Sequence, residues 1–255
     1  MSCCRSVWPL ALLVTLLMAG PAPAEDTAQA ENGAAEARAE MVRQIEAEGR
    51  MVAEATGGGI DGLDPRVLGA MGEVPRHAFL PEELRPYAYG RNPLPLGHEQ
   101  NLAAPFLAAL MTALAEIEPG DVVFETGTDI GYQAAVLSRL ADRVYSVEVV
   151  EPLAEQAARN LKELGYDNVE VKADDGYYGW PEHAPYDAII LKEAIDHVPA
   201  PLVSQLKPGG HLVMPLGPDR GPQFLTVITK QEDGKILGRP VLPVRFSPMQ
   251  GGERT

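Results

Sequence analysis

The stretch FETGTDIGYQAAV, Phe124 to Val136, holds residues whose types and spacing could do chemistry. An apolar run, VVFE, enters a turn with glycines at Gly127 and Gly131, then a helix-like run, YQAAVLSRL. Gly127 lets the chain turn directly after a strand, and Gly131 lets the next helix start close to the sheet. Glu148 follows Gly127 by 21 residues, at a strand end where an acid accepts hydrogen bonds from a ribose. Asp175 follows a third strand-like run, placed to reach an adenine edge. Each signal alone is weak; in register through three strands they point to a nucleoside-cofactor fold. Asp129 is the anomaly, a side chain in a turn where a bare backbone approaches a ligand most closely. Asp tolerates left-handed geometry better than most residues.

Other chemistries find no support. There is no G-x-S-x-G elbow. His98-Glu99 opens like H-E-x-x-H, but the second histidine position is Leu102. The two cysteines, Cys3 and Cys4, lie at the extreme N-terminus, so the rest of the chain has no thiolate nucleophile and no Cys-ligated metal. His77, His183 and His211 read as structural or surface residues, and the aromatics of DGYYGWP as packing. A net charge of −15 argues against non-specific binding to nucleic acid or to anionic membranes.

The elements that must position these residues follow from the pattern. Strands are expected at Val122–Glu125, Arg143–Val149, Asn168–Ala173 and Tyr186–Leu191, the last a continuous apolar run as in a central parallel strand. Helices are expected at Tyr132–Leu140, at Glu151–Leu164 before Gly165, and at Pro199–Leu206 before KPGG. HLVMPL is a further strand, and Gln223–Lys230 with Leu237–Phe246 reads as a hairpin around EDGK. Upstream, Ala104–Ala115 is a packed helix. Asp64-Pro65 is the N-cap and first turn of a short one, PRVLGAM. Pro75–Pro105 is expected to be irregular, folded over the surface. The sum is an α/β, Rossmann-like fold, a mostly parallel sheet flanked by helices with an antiparallel C-terminal hairpin.

The N-terminus reads separately. MSCCR, the apolar run VWPLALLVTLLMAG and APA before Glu25 have the order of a secretory signal over residues 1–24. Its removal takes Arg5 and leaves a charge of −15 − 1 = −16. Export to the periplasm or medium is expected, with no membrane attachment afterwards. Residues 25–60 read as an acidic, Ala-rich linker or frayed helix followed by a helix at Met41–Ala55, and residues 61–255 as the main domain.

From about Asp64 to Gly251 the chain resembles the protein-L-isoaspartate O-methyltransferases. The matching segments are VPRHAFLPEEL, PLPLGHEQ, GYQAAVLS, LGYDNVEV, DGYYGWPE, APYDAII, QLKPGGHLVMPLG and LPVRFSPM. The resemblance implies a class I methyltransferase fold, S-adenosylmethionine as cofactor, and methylation of the α-carboxylate of isoaspartyl residues in damaged proteins, a repair reaction. It implies a monomer in the cytoplasm, the alternative to export. It makes Glu125, Gly127, Asp129, Gly131, Glu148 and Asp175 the cofactor-binding positions and His98, Glu99, Gln100, Asn101 and Ala103 the substrate loop.

Three loops depart from the family pattern. Its E-x-G-x-G-x-G turn is ETGTDIG here, with Asp129 at the middle glycine. Its G-x-G-Q-T-I-S-x-P loop is GHEQNLAAP, which puts Glu99 at a glycine, Asn101 at the threonine and Ala103 at the serine. Its small, neutral segment after the fourth strand is Lys192-Glu193-Ala194-Ile195-Asp196. The fold is expected to bring Glu99, Asp129, Glu193 and Asp196 to one rim, where either the side chains splay into solvent or Lys192, protonation or a bound cation, with His197 or His98 as added ligands, offsets their repulsion. Two readings follow: a methyltransferase with a modified site, or a methyltransferase-like protein that has lost methyl transfer and acts as a binding or cation-dependent protein.

Overall fold

A computed structural model of the chain describes residues 24–57 and 62–251, so the signal-like segment before Ala24 lies outside the described residues. The main sheet has seven strands: β3 (Val122–Thr126), β4 (Arg143–Glu148), β5 (Val169–Ala173), β6 (Tyr186–Ile190), β7 (Leu206–Leu216), β8 (Gln223–Lys230) and β9 (Ile236–Val244). Their order is β5-β4-β3-β6-β7-β8-β9. The first five are parallel, and β8 and β9 add the antiparallel hairpin. From β3 the chain winds outward to β4 and β5. It then returns to β6 on the other side and winds outward again. The carboxyl ends of β3 and β6 therefore flank a switch point, where such sheets open a crevice.

Local sequence explains the helices. Helix α5 (Glu151–Glu163) buries Leu153, Ala154, Ala157 and Leu161 along one face and ends before Gly165, at φ 77°. Helix α4 (Tyr132–Leu137) is buried on every side and stops before the expected Leu140. Ser138 Oγ donates to Ala135 O, and the N–H groups of Arg139 and Leu140 donate three residues back, tightening the last turn. Helix α3 (Pro105–Leu114) is almost wholly core, and α2 (Pro65–Glu73) starts on Asp64, whose side chain accepts from Arg66 N at 2.7 Å.

Three expectations change. Helix α1 runs from Ala24 to Ala55, so the stretch read as a linker or frayed helix continues into the expected helix. KPGG does not cap α6 (Ala200–Gln205); Leu206 is already extended, and the segment widens the β6–β7 pairing between Leu206 and His211. Lys207, directly before Pro208, is biased towards extended backbone, so the helix cannot run on into this segment. The segment 75–105, expected to be irregular and folded over the surface, does lie largely at the surface, but it is anchored inward and partly regular. Arg76, Phe79, Leu80, Ala88, Leu94 and Leu102 are buried, and β1 (Leu94–Gly97) pairs with β2 (Gln100–Leu102) as a small hairpin.

Candidate active site at the sheet switch point

The turn after β3 is shaped by two glycines with different duties. Gly127, at φ 66°, donates its N–H to Val147 O at 2.8 Å, and its open face is covered by the Glu193 carboxylate, which a methyl group there would overlap. Gly131, at φ 94°, opens α4, and a Cβ there would stand 3.0 Å from Leu161 on α5. Its role is helix packing, away from the cleft. Asp129 adopts the left-handed conformation, φ 54°, as its residue type allows. Its N–H donates to Glu148 Oε2 at 2.8 Å, while Val150 N–H donates to Oε1 at 2.9 Å. Glu148 is thereby locked at the end of β4, 3% exposed, with further lone pairs on each oxygen.

The loop after β6 places the altered segment in the centre. Lys192 sends its ammonium between Glu125, at 3.4 Å, and Asp129, at 3.9 Å. Glu125 is fully buried. Ser146 Oγ donates to its Oε1 at 2.8 Å, while Oε2 has no hydrogen-bond donor and faces only the lysine charge. Glu193 Oε2 accepts from Thr126 Oγ1 at 2.6 Å. Burial, reinforced by the neighbouring carboxylates, pushes both Asp129 and Glu193 up to about 7, and burial also raises Glu125. Burial opposes the charge of Lys192, but Glu125, Asp129, Glu193 and Glu148 outweigh it and hold its pKa above the usual lysine value.

Two cavities meet at this cluster. One, about 20 Å³, is lined by Thr126, Gly127, Glu148, Gly176, Glu193 and Met249. The other, about 350 Å³, is lined by Gln100, Asn101, Ala103, Asp129, Lys192, Glu193 and Arg245 among others. Gln100, Gly127 and Glu193 belong to both. The expected substrate loop therefore divides. Gln100, Asn101 and Ala103 face the cleft, whereas His98 and Glu99 form the exposed β1–β2 turn at φ 51° and 61°. Asp175 caps the 3-10 turn Gly176–Tyr178, its Oδ1 accepting from Tyr177 N at 3.0 Å, and Gly176 rather than Asp175 lines the cavity.

The four acidic residues expected at one rim separate in the same way. Asp129 and Glu193 are half-buried around Lys192. Asp196 is exposed and pairs with His197 at 2.8 Å, and Glu99 is exposed. Among the described residues no group of three His, Cys, Asp or Glu side chains is arranged to hold a metal ion. Lysine pairing and raised carboxyl pKa values deal with the repulsion.

Two features escaped sequence reasoning. Buried Arg76 donates to Ala88 O at 2.9 Å and to Ala103 O at 2.7 Å, and stacks 4.6 Å from the Tyr132 ring, so it braces the cleft-facing loop from behind. A lone arginine in a proline-rich stretch carries no periodic signal of burial. The segment Ser247–Met249 straps the loop after β6: Ala194 N–H donates to Ser247 O at 2.8 Å, and Met249 N–H to Ala194 O at 2.9 Å. An isolated bridge of this kind has no two-residue alternation to betray it.

A mostly parallel seven-stranded sheet, a glycine turn after its first parallel strand, an acid ending the second and a cleft at the switch point define a class I methyltransferase architecture. Residues 48–254 match the family of protein-L-isoaspartate(D-aspartate) O-methyltransferases. Protein-L-isoaspartate O-methyltransferase 1 of Cupriavidus necator is 48% identical over 243 residues, spanning 95% of this chain and 93% of the relative. Protein-L-isoaspartate O-methyltransferase 2 of Syntrophobacter fumaroxidans is 46% identical over 241 residues, 94% and 96% of the two chains. A solved protein-L-isoaspartate O-methyltransferase superposes with a TM-score of 0.72 at 30% identity, over 84% of this chain and 66% of that longer one. A putative protein-L-isoaspartate O-methyltransferase from Plasmodium falciparum, in complex with S-adenosyl-L-homocysteine, shares the fold at a TM-score of 0.65 and 23% identity, over 80% of this chain and 99% of that one. The chain belongs to the protein-L-isoaspartate O-methyltransferase family.

Proposed function

We propose that the protein transfers the methyl group of S-adenosylmethionine to the α-carboxylate of isoaspartyl residues in damaged proteins. The observation that carries this is the meeting of the two cavities: a cleft bearing Glu148 and the glycine turn opens at Gly127 and Glu193 onto the cavity of the Gln100–Ala103 loop. The Glu148 side encloses only about 20 Å³, so a nucleoside placed there requires its lining to part, and it would then face a substrate held in the larger cavity.

The residues present fit the cofactor. It carries a sulfonium and an ammonium, and the cleft sets Asp129, Glu148 and Glu193 against Lys192, which buried Glu125 holds from behind. Glu148, fixed by two backbone N–H groups, keeps acceptor capacity for ribose hydroxyls. When bound, the cofactor supplies an electrophilic methyl. An isoaspartyl carboxylate is ionised at neutral pH, so the chain needs no general base. Its task is orientation and exclusion of water. Gln100 and Asn101 offer amide donors to the substrate, and Arg245 on the cavity wall offsets its negative charge. Ala103 lacks the hydroxyl of the family pattern and leaves these groups to position the carboxylate.

The test is transfer of labelled methyl from S-adenosylmethionine to a synthetic isoaspartyl peptide and to its normal aspartyl isomer. Base-labile label on the isoaspartyl peptide alone is expected; equal labelling of both, or of neither, rejects the reading. The signal-like order of residues 1–24 supports export of the mature chain, and the sequence resemblance supports a monomer. N-terminal sequencing of periplasmic protein beginning at Glu25 checks the first, and sedimentation velocity the second.

A further inference from the structure

Glu193 stands where the two cavities join. Its carboxylate lies against the open face of Gly127, its Oε2 is held by Thr126 Oγ1 at 2.6 Å, and its side chain lines both spaces. A molecule with its nucleoside beside Glu148 and its reactive methyl towards Ala103 must pass this boundary. In S-adenosylmethionine the atom between nucleoside and amino acid is the sulfonium, and methyl transfer leaves a neutral thioether there. Resting on the cofactor reading above, we propose that Glu193 is a cofactor-binding residue that selects the charged sulfonium over the neutral thioether product, so that the spent cofactor is released readily.

The surroundings favour that role over a purely structural one. Among the described residues Thr126 alone donates a side-chain hydrogen bond to Glu193, and the neighbouring cation, Lys192, is already shared by Glu125 and Asp129. The charged groups facing Glu193 are Lys192 on its own loop, Glu125 from β3, Asp129 from the turn after β3, Glu148 from β4, and Arg245 across the larger cavity. With Glu193 and Asp129 ionised, negative charge exceeds positive, so an entering cation is attracted and a neutral ligand is not. In a water-poor cleft one such charge contact is worth about tenfold or more in affinity. The burial that pushes the Glu193 carboxyl up to about 7 adds a second signature. A cation beside it favours the ionised form, so binding of the sulfonium releases protons near neutral pH and binding of the thioether does not.

Calorimetric titration of the full chain with S-adenosylmethionine and with S-adenosylhomocysteine tests this, at pH 8 and, in two buffers of different ionisation enthalpy, at pH 7. In the parent, tighter binding of the sulfonium and proton release specific to it are expected. Glu193→Gln, which retains an acceptor for Thr126, is expected to weaken the sulfonium about tenfold, to change the thioether less than about twofold, and to release fewer protons. Glu193→Asp, which keeps the charge, is expected to restore part of the preference. Equal changes for both ligands, or none, overturn the role of Glu193 while leaving the methyltransferase reading intact. A parent that binds neither ligand overturns both. Circular dichroism melting of each variant ensures that a misfolded chain is not scored as a lost contact.

Discussion

Glu193 and Asp129 make the free protein's stability depend on pH in an unusual direction. Their carboxyls titrate at about 7 when folded and near ordinary carboxylate values when unfolded. Between about pH 4.5 and 7 the folded chain therefore holds protons that the unfolded chain has released, and stability falls as pH rises through that window. Above it the penalty is constant, on the order of 2–3 kcal/mol for a group of this kind. Glu193→Gln removes one such group, so it is expected to raise Tm more at pH 8 than at pH 5 in ligand-free protein. An equal rise at both values contradicts the buried, proton-holding carboxyl. Ala103 makes a different case: its carbonyl is already held by Arg76, and its methyl faces the larger cavity. Ala103→Ser is expected to lower KM for an isoaspartyl peptide severalfold, with the dissociation constant of S-adenosylmethionine unchanged. At this scale the sequence was partly legible. Residue type foretold the left-handed Asp129, and the spacing of Gly127 and Glu148 foretold their place. Which of Glu99, Asp129, Glu193 and Asp196 would be buried was not readable, because loop side chains have no periodicity that reports their direction.

The β3–α4 turn shows how elements set the site. Gly131 brings α4 against α5, where a Cβ would crowd Leu161 while also demanding a left-handed backbone. Gly131→Ala is expected to cost about 1–3 kcal/mol in urea unfolding. It should weaken cofactor binding only indirectly, by shifting the turn that carries Asp129. A neutral result would mean that α4 and α5 can separate freely. The parallel strands β3 to β6 were legible to within about two residues at either end, since apolar runs bounded by turn residues leave few alternatives, whereas β7 begins five residues before the expected HLVMPL. The β1–β2 hairpin was missed because its strands have four and three residues. KPGG was misplaced because its turn residues widen a strand pairing, a use that local sequence does not separate from a helix stop.

Seen whole, the molecule assembles its cleft from segments distant in sequence: the β1–β2 hairpin, the turn after β3, the end of β4, the loop after β6, and the Ser247–Met249 strap. The strap joins last in chain order, through two backbone hydrogen bonds with Ala194. Truncation after Phe246 is expected to leave the sheet folded. It should abolish hydrogen-exchange protection of the Ala194 amide and raise the dissociation constant of S-adenosylmethionine several-fold; unchanged protection or affinity rules out a bracing role. Every strand of the main sheet is complete by Val244, upstream of the strap. A chain clipped by a protease just beyond β9 can therefore possess a finished sheet and an unfinished cleft.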